Sequence, residues 1–269
     1  MTTLLLVGCG KMGGAMLEGW LDQGIAATDV TVVEPNQALA QELTLRLGVG
    51  TISVADQLPD GYAPDVVVLA VKPQVMGEVL PPYANLSGKP VFLSIAAGKT
   101  IQSFETILGS DACVVRAMPN TPAAVGRGIT VGCPNALVTD EQEKLCKQLL
   151  GAVGEVEWVE DEDLMDAVTA VSGSGPAYIF HLAEAMGHAG RMAGLAPELA
   201  DKLARVTVAG AGELLHQSSD SAATLRENVT SPGGTTAAAL EVLMGQDGLK
   251  ELMTDAICAA TKRSKELAS

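Results

Sequence analysis

Near its start the chain runs Leu4-Leu5-Leu6-Val7, a short apolar strand, into Gly8-Cys9-Gly10-Lys11-Met12-Gly13 and on into the amphipathic stretch Met12 to Gln23. A G-x-G-x-x-G pattern that ends a strand and opens a helix admits few folds, because each glycine has its own geometric duty. Gly8 permits the tight turn, Gly10 lets the backbone approach a pyrophosphate, and Gly13 lets the helix pack close on the sheet. Lys11 and Met12 fall at the helix N-terminus, where free amides and the dipole favour an anion. The same residues also read as Leu6-Val7-Gly8-Cys9, a lipoprotein cleavage box. A signal peptide needs a basic start and roughly 7 to 15 apolar residues; here no Lys or Arg precedes Leu4, and the turn is the expected reading.

The alternation continues to about residue 158. Apolar runs at Leu4 to Gly8, Val30 to Glu34, Gly50 to Val54, Val66 to Val71, Val91 to Ala96, Cys113 to Ala117, Ile129 to Cys133 and Glu155 to Val159 are separated by helix-length segments such as Gln37 to Leu47, Thr100 to Leu108 and Thr139 to Ala152. This is the sequence form of an α/β, doubly wound, Rossmann-type sheet. From 159 to 269 the β-branched runs give way to Ala, Leu, Met and Glu at helical spacing: Asp163 to Val171, Pro176 to Ala193, Pro197 to His216, Ser221 to Val229, Thr235 to Met244 and Gly248 to Leu267. The expected organisation is a dinucleotide-binding domain, 1–158, and an all-helical domain, 159–269. The Ala- and Gly-rich helices suit a homodimer interface.

A formal charge of −15 with pI near 4.5 argues against nucleic acid, whose affinity rests on cations. Apolar runs fall short of the roughly 18 residues that cross a bilayer. Five scattered cysteines without a C-x-x-C pair indicate a reduced, cytoplasmic setting. No metal site is expected: His181 and His188 have suitable helical spacing but no acidic or thiol partner completing a set. The acidic run Glu155 to Asp163 reads as a solvated junction.

In an open α/β sheet, ligands lie beyond the carboxyl ends of the strands. The segments there are Ala70-Val71-Lys72-Pro73-Gln74, Ala96-Ala97-Gly98-Lys99 and Met118-Pro119-Asn120-Thr121-Pro122. Glu34, at the end of the second strand, is placed to accept ribose hydroxyls and to repel a 2′-phosphate, which favours NADH over NADPH. Arg46 is the nearest following cation and lies about a helix away. In the helical half, Ser172-Gly173-Ser174-Gly175-Pro176-Ala177-Tyr178 and Asn228 to Thr236 each break one helix and start another. The amides of Gly233, Gly234 and Thr235 would form a carboxylate cradle.

These stretches, taken in order with the signature from Leu225 to Met244, resemble the pyrroline-5-carboxylate reductase family over nearly the whole chain. The resemblance implies an NAD(P)H-dependent reduction of the imine of 1-pyrroline-5-carboxylate to L-proline, and an interlocked dimer through the helical domain that can assemble into a decamer. It implies substrate contacts at Ser174, Gly233, Gly234, Thr235 and Thr236, with Thr236 orienting the ring nitrogen or a water. Cofactor contacts would fall on Gly8, Gly10, Lys11, Met12, Gly13, Glu34, Ala70, Val71, Lys72, Pro73, Ala97, Asn120 and Asn228. The family commonly uses NADPH and often has a small polar residue where Glu34 stands. Two rivals remain. A β-hydroxyacid dehydrogenase would need a lysine on the first long helix, and Asp163 to Ala193 has none. An NAD(H)-sensing binding protein would need no carboxylate cradle.

Overall fold

The computed structural model describes residues 2–268. They form two compact units: one holds the residues up to Gly173 together with those from Thr261 onwards, and the other is Ser174–Ala260.

The first unit is built on eight strands: β1 (Leu4–Val7), β2 (Val30–Val33), β3 (Gly50–Ile52), β4 (Val66–Leu69), β5 (Val91–Ser94), β6 (Cys113–Met118), β7 (Gly128–Pro134) and β8 (Gly154–Trp158). Their order across the sheet is β3-β2-β1-β4-β5-β6-β7-β8. β1 to β6 are parallel, β7 returns antiparallel to β6, and β8 lies parallel to β7. The central strands are unbroken apolar runs because both faces of a parallel sheet are covered. Alternation assigns the faces. Leu4 and Leu6 pack with Met16, Leu17 and Trp20, whereas Leu5 and Val7 pack with Met76, Leu80, Tyr83 and Phe104. The covering helices are α1 (Lys11–Asp22), α2 (Gln37–Leu47), α3 (Met76–Val79), α4 (Ile101–Leu108) and α5 (Asp140–Leu150). Local chemistry fixes their starts. Asn36 caps α2, Thr100 caps α4, and Thr139 with Gln142 forms a capping box on α5.

The expected strands are all present, several of them cut short at the carboxyl end. Gly8, Glu34, Val71 and Ala96 lie past the ladder, because there the chain turns away to build the edge loops. Reading by helical period passed over the short turns Pro73–Val75, α3 and Pro81–Asn85, which are too brief to show one. The expected continuous helix from Asp163 to Val171 is instead a 3₁₀ turn (Glu162–Leu164), α6 (Met165–Val168) and a wide π-turn (Thr169–Gly173). Thr169 Oγ1 and Ser172 Oγ donate back to the carbonyls of Met165 and Val168, 2.8 and 2.9 Å away, which favours the widened turn. This segment packs with the sheet: Met165 is buried against Val131 and Cys133. The first compact unit therefore runs through this segment to Gly173.

The second unit contains α7 (Gly175–Met192), α8 (Pro197–Gln217), α9 (Ala222–Asn228), α10 (Thr235–Leu243) and most of α11 (Leu249–Ala268). α7 and α8 approach closely through small residues. A Cβ on Gly187 would lie 2.6 Å from Asp201 Oδ1, and one on Gly190 would lie 3.2 Å from the Ala200 methyl. Arg191 pairs with Asp201 across the same contact. Among the described residues of this unit, only Ala200 and Ala204 are buried hydrophobic side chains, while Phe180, Val206, Leu214, Val242 and Leu252 are each more than 60% exposed. Apolar exposure on this scale marks an association surface. No helix among the described residues is long and apolar enough to cross a membrane.

Candidate active site

The glycine turn after β1 is built as its sequence demands. Gly8 has φ +85°, and a Cβ there would lie 2.7 Å from Val71 Cγ1. A Cβ on Gly13 would lie 2.7 Å from the Gly8 carbonyl oxygen and 3.1 Å from the Ala70 methyl, so only glycine lets α1 come this close. Gly10 faces open space, with nothing within 4 Å of its missing side chain. The N-terminus of α1, with Lys11 and Met12 in its first turn, thus meets an open backbone concavity. These residues fit a dinucleotide pyrophosphate, which needs close backbone approach and free amides.

Glu34 follows β2 and is 8% exposed. Its Oε2 accepts from the Cys9 N–H at 3.0 Å and its Oε1 from the Asn36 N–H at 2.9 Å. The carboxylate is tied to the phosphate turn itself. Burial first, and the nearby Glu34 carboxylate second, push the Cys9 thiol up to about 11, so it stays a neutral thiol at physiological pH. Arg46 is bonded to Glu18 at 2.7 Å and also faces Glu42, which engages its guanidinium within the α1–α2 surface. A cleft of about 820 Å³ runs from the turn along the outer face of α1, bordered by Glu18, Arg46 and Val125. Of the expected cofactor residues, it takes in only Gly10 and Lys11.

The remaining sheet-edge residues fall where the strands end. Ala70 and Val71 touch the glycine turn, and the exposed Lys72 leads into the turn Pro73–Val75. Ala97 is exposed on the loop after β5. Asn120, after β6, has both ends of its side-chain amide engaged: Nδ2 donates to the Ser172 carbonyl at 3.2 Å and Oδ1 accepts from the Ile129 N–H at 3.0 Å. It braces the loop more than it faces a ligand. Sequence reading missed Arg116, on β6, and Glu162. Arg116 is buried and bonded to Glu162 Oε1 at 2.7 Å, so this part of the acidic run is not a solvated junction. The available signal was an arginine inside the apolar run Cys113–Met118.

In the helical unit, Ser174 precedes α7 and the exposed Asn228 ends α9. Ser231 to Gly234 closes a turn in which the Gly234 N–H donates to the Ser231 carbonyl at 3.0 Å, with Gly233 at φ +68°. Gly234, expected as a free donor, is therefore engaged. The amides without an acceptor inside the helix at the start of α10 are those of Thr235, Thr236 and Ala237, since the first helical bond runs from the Ala238 N–H to the Gly234 carbonyl.

A glycine turn on a parallel sheet of this order, with an acidic residue after the second strand, defines the dinucleotide-binding oxidoreductases. Residues 3–98 match the family model described as NADP oxidoreductase coenzyme F420-dependent, and residues 162–267 match pyrroline-5-carboxylate reductase dimerisation. The chain is 40% identical to the pyrroline-5-carboxylate reductase of Pseudomonas aeruginosa over 98% of this chain and 96% of that protein. It superposes on the solved pyrroline-5-carboxylate reductase of Coxiella burnetii with a TM-score of 0.93 at 36% identity, covering 100% of this chain and 99% of that one. The pyrroline carboxylate reductase of Plasmodium falciparum, solved with NADP bound, gives 0.81 at 30% identity, covering 100% and 98%. The chain belongs to the pyrroline-5-carboxylate reductase family.

Proposed function

We propose that this protein reduces 1-pyrroline-5-carboxylate to L-proline in the cytoplasm, uses NADH in preference to NADPH, and works as a dimer formed through its helical unit. Whole-length kinship carries the activity, since a pyrroline-5-carboxylate reductase aligns over 98% of this chain and the helical half matches the dimerisation model of that family. The doubly bonded Glu34 carboxylate supports the cofactor choice.

A reduced nicotinamide, when bound, supplies the hydride. Gly8, Gly10, Lys11, Met12 and Gly13 hold the pyrophosphate, and Glu34 accepts the ribose hydroxyls. Ala70 to Pro73 and Ala97 line the path of the cofactor, with Asn120 bracing it and Asn228 facing cofactor or substrate. The N–H groups of Thr235 and Thr236 hold the substrate carboxylate, within a turn shaped by Gly233 and Gly234 and with Ser174 as a further contact. Thr236 Oγ1 orients the ring nitrogen, or a water beside it, so that the nitrogen carries its proton while carbon is reduced. No strongly shifted acid is required, because a pyrroline nitrogen can enter already protonated.

Purified protein should oxidise NADH when pyrroline-5-carboxylate is added and should form proline. Thr236→Val keeps the side-chain shape and removes the hydroxyl, so kcat should fall about 10- to 100-fold with dinucleotide affinity unchanged. Dinucleotide binding without turnover by the wild type would favour the sensing protein instead. Light scattering separates a dimer from a decamer.

A further inference from the structure

The loop between β5 and α4 is braced at both ends. At its start, the buried Ser94 Oγ accepts the Ala96 N–H at 3.2 Å. At its end, Glu162 Oε1 accepts the Ile101 N–H at 2.9 Å. The same oxygen accepts from Arg116 Nη1 at 2.7 Å, and the Arg116 side chain is only 6% exposed. Arg116 lies opposite Ser94 in the β5–β6 register, so both braces rise from one place in the sheet. Between them, Ala97 is exposed and Gly98 sits at φ +68°. Gly98 also lies near Leu267, a Cβ on it falling 3.7 Å from the Leu267 carbonyl oxygen, and a short loop braced at its ends keeps its tip where those ends put it.

What this loop serves follows from strand order. The glycine turn after β1 and Glu34 after β2 place the pyrophosphate and adenosine toward β1, β2 and β3. The nicotinamide half then extends over the carboxyl ends of β4, β5 and β6, where the Ala96 to Thr100 loop stands. We infer that Glu162 is a positioning residue for the nicotinamide half of the site: held by Arg116, it fixes the first amide of α4 and, through it, the tip of the β5–α4 loop. The inference rests on the dinucleotide reading of this sheet edge.

Two variants test it. Glu162→Gln keeps an acceptor for Ile101 but leaves the Arg116 charge unmatched. Ile101→Pro removes the braced N–H at a first-turn position that proline tolerates, along with the packing of the Ile101 side chain against the neighbouring core clusters, and leaves the ion pair in place. Each is to be compared with the wild type for NADH-driven turnover and for binding of ADP-ribose, which carries the adenosine and pyrophosphate but no nicotinamide. In both folded variants kcat should fall about 10- to 100-fold while the Kd for ADP-ribose stays within about twofold, because a misplaced loop harms only the reacting end. A general structural role would instead lower melting temperature and ADP-ribose affinity together, and that result, or an unchanged kcat in either folded variant, would overturn the inference. Failure of the wild type to bind ADP-ribose would overturn the dinucleotide reading itself, and the inference with it.

Discussion

Replacing Glu34 tests the electrostatics of cofactor choice most directly. The carboxylate is nearly buried and receives N–H bonds from both Cys9 and Asn36, so it cannot swing away from an approaching 2′-phosphate. Two unit charges about 4 Å apart interact by about 4 kcal/mol at an effective dielectric constant near 20. Screening at the site rim brings this to roughly 1.5 to 3 kcal/mol, or about 10- to 150-fold in specificity. Arg46, the nearest following cation in the sequence, is engaged by Glu18 and Glu42. The assay is the ratio of kcat/KM for NADH to that for NADPH at saturating pyrroline-5-carboxylate. The wild type should favour NADH by that factor, and Glu34→Ser should narrow or invert the ratio, chiefly through the KM for NADPH. The KM for NADH should also rise in this variant, because the Cys9 amide loses its acceptor and the ribose hydroxyls lose theirs. Raising the salt should reduce the wild-type preference. A wild type with higher kcat/KM for NADPH, or a Glu34→Ser variant with an unchanged ratio, would refute the reasoning.

Adjacent glycines of α1 should respond in opposite senses. Gly13→Ala places a methyl 2.7 Å from the Gly8 carbonyl and should cost about 1 to 3 kcal/mol in unfolding free energy while raising the dinucleotide KM. Gly14→Ala, with nothing within 4 Å, should stabilise by about 0.5 to 1 kcal/mol in the same denaturation experiment. Alkali should weaken the fold. Burial pushes the thiols of Cys9 and Cys133 up to about 11 and that of Cys146 up to about 12, so between an ordinary thiol pKa and those values the native state holds protons that the unfolded chain has lost. Stability should be level through neutral pH and fall progressively above about pH 9. Cys146→Ala should flatten the decline in a series of melting temperatures, and an equally steep decline in that variant would count against the thiols as its cause.

The fold was legible because its signals are local. Each central strand is an apolar run between turn residues, and the two faces follow from alternation within Leu4–Val7 alone. The helix starts were equally plain, being written as Asn36, Thr100 and Thr139. The turn Ser231-Pro232-Gly233-Gly234 could have been read more closely: proline second and glycine third is the pattern of a turn that engages the fourth residue's amide, which removes Gly234 from the donor set. Arg116 and Glu162 lie 46 positions apart, and no spacing rule links them. Their pairing depends on where a 3₁₀ turn after β8 meets the end of β6. The wide turn at Thr169–Gly173 was hidden for a related reason, since Thr and Ser in a helical pattern give no sign of whether they bond back to the helix or face solvent.

A chain of charge −15 that handles anionic ligands must keep its carboxylates from opposing them. At this sheet edge it does so with backbone donors. Glu34 is bonded to the amides of Cys9 and Asn36, and Glu162 to the amide of Ile101 and to Arg116. These carboxylates order the loops, while the N-terminus of α1, beside Glu34, carries no side-chain cap and stays open to a phosphate. On the proposed reading, the arrangement would separate two duties that a lysine-rich site would combine: attraction of the anion would come from amides fixed in direction, and selectivity from a negative charge at the adenosine ribose, where a 2′-phosphate would meet it. Adding a surface lysine near the turn should then raise affinity for both dinucleotides, and more for NADPH, whose 2′-phosphate it would also attract, so that the ratio narrows.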